Sequence, residues 1–138
     1  MSGLVRFGIS LEKDLLRKFD THRKIKNYAN RSEAIRDLIR ESLIKQEWRE
    51  GKEVAGAITL IYDHHKRELM NKILDIQHDF TELIISLQHV HIDHNNCLEV
   101  LAVKGAPLKV QRLSDSLKSI KGVKHSALSM STTGRDIV

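Results

Sequence analysis

Two histidines two residues apart and the chain's single cysteine fall within nine residues, His89-Val90-His91-Ile92-Asp93-His94-Asn95-Asn96-Cys97. On a β-strand the side-chain period is two, so His89 and His91 point to one face with Cα atoms roughly 6.5 Å apart. The polar run Asp93–Asn96 is short and rich in turn formers, so the chain can reverse there and return as a second strand from Cys97. The hairpin brings one thiolate beside two imidazoles, a donor set that suits Zn, Ni or Cu and not Mg or Ca. Three ligands are one short of the usual four. A water, His78 at the end of the preceding apolar-periodic segment, or the turn residue His94 could supply the fourth. A hydrogen-bonded strand histidine and a buried cysteine are the ordinary alternatives to ligation.

The hairpin must sit in a fold, and the flanking pattern supplies one. Val54–Tyr62 reads as a strand, and Asp63-His64-His65 as a turn able to cap the next helix. Leu69, Ile73, Ile76 and Phe80 mark the stripe of that helix. Leu83–Ile92 and Leu98–Val103 are the hairpin strands. Pro107 opens a second helix with its stripe at Val110, Leu113, Leu117 and Ile120. Gly122 stops that helix, Val123–Met130 is a closing strand, and residues 131–138 read as frayed. The order βαββαβ is the ferredoxin-like arrangement, an antiparallel sheet with helices on one face. Residues 53–138 are therefore expected to form one α+β domain, with the uncovered sheet face available to another copy.

Residues 1–50 read differently. Val5, Phe7, Ile9 and Leu11 share one face of an expected short strand, leaving Arg6, Gly8 and Ser10 on the other. From Glu12 the period becomes helical, with Leu15, Leu16 and Phe19 on one stripe. A second helix follows the break at Asn27–Asn30, with Asn30 as its N-cap and Glu33 at N3, the capping-box pattern. It runs to about Trp48 and ends at Gly51. So short a β-α-α unit cannot bury its aliphatic surface alone, and a single strand leaves both edges open. Two chains pairing their strands antiparallel remove both deficits. The ribbon they form displays Arg6 and Ser10 twice and fits a DNA major groove. Asn30, Arg31 and Ser32 open a helix suited to a backbone phosphate.

Charge agrees with this division. The 138-residue chain has a formal net charge of +5. Twelve Lys/Arg against eight Asp/Glu lie in residues 1–50, and eleven against ten lie in the rest. The basic excess is thus concentrated beside the ribbon, where a polyanion partner is expected. A single cysteine makes no internal disulfide, and no stretch is apolar enough for a membrane span, so the cytoplasm is the expected location. No nucleophile–base pair, paired carboxylates or Gly-rich phosphate loop appears, and an enzyme is not expected.

Over essentially its full length the chain resembles the nickel-responsive transcriptional regulators of the NikR type. The stretches that carry the resemblance are Asn30-Arg31-Ser32-Glu33-Ala34-Ile35-Arg36-Asp37, Tyr62-Asp63-His64-His65-Lys66-Arg67, Gln77-His78, His89-Val90-His91 through Cys97-Leu98-Glu99, and Gly122-Val123-Lys124-His125. The first is shared by ribbon-helix-helix proteins generally, whereas the metal set with its spacings is much more specific. The resemblance implies a ribbon-helix-helix dimer (1–50) fused to a ferredoxin-like ACT domain (53–138), assembled as a homotetramer, a dimer of dimers. It implies one Ni(II) per chain, held by His89, His91 and Cys97 of one chain and His78 of another in a square-planar site. That geometry suits Ni(II) or Cu(II), whereas Zn(II) prefers a tetrahedron. It further implies base reading by Arg6, Gly8 and Ser10 on a palindromic operator, DNA backbone contacts from Lys66 and Arg67, and a second cation near Glu33 and Asp37. Gly8 departs from the family pattern, which commonly has a hydroxyl residue there, so the operator read is expected to differ. Gln88 replaces an apolar residue but lies on the strand face opposite the histidines. Repression of nickel-uptake genes is the implied role. The competing readings are a ribbon-helix-helix regulator that senses another metal or an amino acid, and a nickel carrier without a DNA role.

Overall fold

The structure, a computed structural model of one chain, describes residues 3–138. It divides after Ile39 into two compact units. In the first, α1 (Lys13–Ile25) and the start of α2 (Arg31–Glu50) are joined by a turn in which Asn27 takes a positive φ of 62°. Asparagine is one of the few non-glycine residues that tolerates this helix-ending conformation. The Asn30 side-chain oxygen accepts the Glu33 N–H at 2.9 Å, so the N-cap is made as expected. The reciprocal half of the capping box is not: the Glu33 carboxylate turns to Arg36 instead.

The strand expected over residues 4–11 is absent from the single chain, in which α1 and α2 are the only regular elements among the described residues before Val54. Leu4 is 91% exposed and Phe7 72%, with Val5, Ile9 and Leu11 also open. The reason is elementary. A strand exists through its ladder to a neighbour, and one chain offers this segment none. Likewise α1 buries no residue, and Ala34 is the only buried residue of α2.

The second unit is built on an antiparallel four-stranded sheet, β1 (Val54–Tyr62), β2 (Ile84–His91), β3 (Cys97–Gly105) and β4 (His125–Met130), in the order β2-β3-β1-β4. With α3 (Arg67–Asp79) and α4 (Pro107–Lys118) this is the βαββαβ arrangement. Alternation along β1 and β3 buries Val54, Ile58, Leu60 and Tyr62 together with Cys97, Leu101 and Val103. Against them pack Leu69 and Ile73 of α3 and Val110, Leu113 and Leu117 of α4. A 3-10 turn, Thr81–Leu83, links α3 to β2, which lies at an edge of the sheet.

Three local expectations need correction. Asp63 caps its own turn, its carboxylate accepting the His65 N–H at 2.9 Å, while Lys66 precedes α3 without a side-chain cap. The closing strand begins at His125, because Val123 N–H is spent on a turn to Ile120 and Lys124 N–H makes the first bond to β1, at Ile61. Residues 131–138 are tied down: Ser131 N–H donates to Ala55 and Trp48 Nε1 donates to the Ser131 carbonyl at 2.8 Å. Thr132 donates to Glu47, and Arg40 Nε to the Val138 carbonyl, both at 2.8 Å. A polar tail without periodicity reads as frayed, yet its backbone groups found partners on α2 and β1.

Candidate metal centre and nucleic-acid surface

The hairpin register places His91 directly opposite Cys97 and His89 directly opposite Glu99. Opposed residues in an antiparallel pair share a face, so His89, His91, Cys97 and Glu99 all point to the helix-covered side of the sheet. The turn between them is held by the Asp93 carboxylate, which accepts the N–H groups of Asn95 and Asn96 at 2.9 and 2.8 Å. The Asn96 side-chain amide, which donates to both Asp93 oxygens at 3.1 Å, together with these backbone bonds holds the Asp93 carboxyl below its ordinary pKa. Lys124 Nζ donates to the Asn96 side chain and fastens the turn to the start of β4.

Cys97 is buried, with its Sγ 3.4 Å from the Tyr62 carbonyl. Burial pushes the thiol above its ordinary value, and the Glu99 charge adds to the effect. His89 and His91 are exposed, their ring centres 5.4 Å apart. Among the described residues no three His, Cys, Asp or Glu side chains converge closely enough to hold a metal. The backbone therefore brings three donors of the right chemistry to one face, while the rotamers of the single chain stay apart. Two strand-borne imidazoles on the same face as a buried sulfur are a set that fits a borderline divalent ion such as nickel. His78 is in the last turn of α3 and exposed, and the ring contacts that join the other hairpin histidines leave it out.

Two features beside this set were not anticipated. His64 stacks on His91, with ring centres 4.5 Å apart and planes 11° apart, and also touches His65. Its Nδ1 is shielded from solvent and has no hydrogen-bond partner. Burial, with His65 and His91 nearby, holds His64 below the ordinary imidazole value. The second feature is a buried carboxylate: Glu99 accepts from Tyr62 Oη at 2.6 Å and from Gln77 Nε2 at 2.8 Å. Burial and that bond push the Tyr62 phenol far above its usual range. The signal was present in the sequence as an acidic residue at an inward position of β3, between Cys97 and Leu101.

In the first unit Arg6, Gly8 and Ser10 are exposed. A Cβ at Gly8 would meet nothing within 4 Å, so packing does not require glycine there. Asn30 is engaged as the cap and Ser32 is exposed, while Arg31 forms a two-pronged bond with Asp20. Glu33 pairs with Arg36 and Asp37 accepts from the Tyr28 hydroxyl, so neither carboxylate faces an open cation site. In the second unit Lys66 and Arg67 are exposed at the start of α3.

An exposed arginine-bearing segment ahead of two helices, and a hairpin carrying imidazole and sulfur donors, are the parts that a metal-binding regulator of the ribbon-helix-helix class requires. Comparison with known proteins makes this specific. The profile of the NikR C-terminal nickel binding domain matches residues 55–131, and that of the ribbon-helix-helix proteins of the copG family matches residues 5–46. A relative from Syntrophus aciditrophicus is 62% identical over 98% of both chains. One from Chlorobium limicola is 61% identical over 97% of this chain and all of its own, and one from Pyrococcus furiosus is 52% identical over 99% of both. All three carry nickel-responsive regulator as their designation. A solved structure of an uncharacterised protein from Thermotoga maritima shares the fold, with a TM-score of 0.50 at 18% identity over 56% of this chain and 98% of that one. The chain belongs to the nickel-responsive regulator family, a family of ribbon-helix-helix transcription factors with a nickel-binding C-terminal domain and no enzymatic activity. None of its described helices is long and apolar enough to cross a membrane.

Proposed function

We propose that the protein is a nickel-dependent repressor of nickel-uptake genes, acting in the cytoplasm as a dimer of dimers on a palindromic operator. The carrying observation is the cross-strand pairing of His91 with Cys97, with His89 two residues back on the same face. In this reading those three residues and His78 of another chain hold one Ni(II) per chain. A fourth donor from outside the hairpin accords with the exposure of His78 and with its separation from the other imidazole rings. Bound nickel supplies a cross-link between chains that a lone subunit cannot make.

The DNA-binding part is assigned to residues 1–50 and the metal-binding, tetramerising part to 53–138. Two copies of the segment around Arg6, Gly8 and Ser10 pair as a ribbon in the major groove, the exposed apolar residues Val5, Phe7 and Ile9 turning inward against the helices. Asn30, Arg31 and Ser32, with Lys66 and Arg67, approach the phosphates. Cross-linking through the second domain favours arrangements in which both ribbons reach half-sites on one duplex. Coupling of this kind is typically worth ~1–3 kcal/mol and is amplified when two sites engage together. A cation between Glu33 and Asp37 belongs to the same proposal, and it would have to displace Arg36 and Tyr28 from those carboxylates.

The test is footprinting on the promoter of a nickel-uptake operon, with nickel and with a chelator. Protection of two symmetric half-sites only when nickel is present is the expected result. Equal protection under both conditions would overturn the nickel-dependent reading.

A further inference from the structure

Arg31, the first residue of α2, is held by Asp20 of α1 through two parallel bonds, Nε to Oδ1 at 2.9 Å and Nη2 to Oδ2 at 2.8 Å. The same carboxylate also faces Arg23, whose Nε lies 3.8 Å from Oδ1. Arg23 is itself fixed by donating to the Tyr28 carbonyl at 3.4 Å. A guanidinium has five N–H donors in a rigid plane, and the fork to Asp20 uses two of them. Of the other three, two are on Nη1 and one is on Nη2, along the edge that faces away from the carboxylate. Arg31 keeps 56% of its side chain exposed while Asp20 keeps 26%. An exposed ion pair contributes little to stability. What a planar two-pronged pair does supply is direction: it removes the rotational freedom of a long side chain and fixes where its remaining donors point.

We propose that Asp20 is a positioning residue for DNA, holding the inner edge of Arg31 so that the Nη1 edge is presented to a backbone phosphate. The inference rests on the reading of Arg31 as a phosphate contact and adds the residue that aims it. Simple electrostatics gives the opposite expectation. A carboxylate beside a phosphate site repels the duplex, so its removal should tighten binding. The sign of the effect therefore separates aiming from competition.

The experiment uses the nickel-loaded full chain and a fluorescein-labelled duplex of about 40 base pairs of mixed sequence, titrated between roughly 50 and 200 mM salt, because phosphate contacts are independent of sequence and follow salt. Asp20→Asn is expected to weaken binding about five-fold and to make the salt dependence shallower by about 0.9 for each lost contact. Arg31→Lys, which keeps the charge but not the fork, should weaken it similarly, and the double variant should be no worse than either single one. Asp20→Glu should restore most of the loss. Unchanged or tighter binding by Asp20→Asn overturns the assignment, as does an equal further loss in the Arg31→Lys background, which would mark a general structural effect. Absence of any binding by the unmodified protein would instead overturn the DNA reading, and this assignment with it.

Discussion

His64 and His91 lie face to face, their ring centres 4.5 Å apart and their planes 11° from parallel. The contact ties a loop residue between β1 and α3 to a strand residue of β2, and it fixes the ring plane of a proposed nickel ligand. Groups that orient a ligand typically matter ten- to a hundred-fold in metal affinity. His64→Ala is therefore expected to weaken nickel binding by about ten-fold, the low end of that range. His64→Phe, which preserves a flat partner but has no nitrogen, should retain most of the affinity. Competition titration against a chromogenic chelator measures both. Equal losses in the two variants would show that His64 acts through a nitrogen and not through its face.

Glu99 is only 3% exposed and depends on two donors, Tyr62 and Gln77. Removing one donor leaves a buried oxygen short of a partner, which is costlier than the bond itself is worth. Tyr62→Phe keeps the ring in the core and deletes only the hydroxyl. It should lower unfolding free energy by about 1.5–3 kcal/mol, the range for hydrogen bonds to charged groups. Urea denaturation of apo protein reads this directly. If Tyr62→Phe is neutral while Glu99→Gln is destabilising, Gln77 alone satisfies the carboxylate.

The apolar residues of the N-terminal segment carry a prediction about assembly. Phe7 is 72% exposed and Ile9 53%, in a chain with only three phenylalanines. An aromatic left open beside helices that bury almost nothing is the surface that a second copy covers in the proposed dimer. Phe7→Asp should place a charge in that contact and abolish pairing of the N-terminal units. Sedimentation velocity should then show a smaller assembly at micromolar concentration, and DNA binding should be lost even with nickel. An unchanged assembly that still binds DNA would place Phe7 outside the contact.

What the sequence revealed and what it concealed divide along physical lines. Strands β1, β2 and β3, both later helices and the Asp93–Asn96 turn were legible because their side-chain periods and turn residues act over short distances. That the hairpin brings Cys97 beside His89 and His91 was legible, whereas the register that sets His91 opposite Cys97 and His89 opposite Glu99 was not. The stack of His64 on His91 was not legible, since it joins residues 27 positions apart through a loop without periodicity. The bonds that hold Ser131, Thr132 and Val138 were hidden for the same reason: the partners are Trp48, Glu47 and Arg40, and nothing in a polar tail names them. The N-terminal segment shows the opposite case. Its alternation is plain, yet the strand needs a ladder that one chain does not contain.

The Asp20 pair also predicts a pH response with a defined sign. The Arg31 hydrogen bond, aided by the charges of Arg31, Arg23 and Lys24, holds the Asp20 carboxyl below its ordinary value of 3.8. A carboxyl depressed in the folded state contributes stability that is complete above the unfolded value and is lost as pH falls through the folded one. At neutral pH the pair is therefore intact, and the positioning of Arg31 should not vary between pH 6 and 8. Carboxyl-detected NMR should show Asp20 titrating below its ordinary value of 3.8. In an Arg31→Ala variant the Asp20 midpoint should move back toward the ordinary value, with Arg23, 3.8 Å away, retaining part of the depression. An Asp20 midpoint that Arg31→Ala leaves unchanged would mean that the two side chains do not pair in solution.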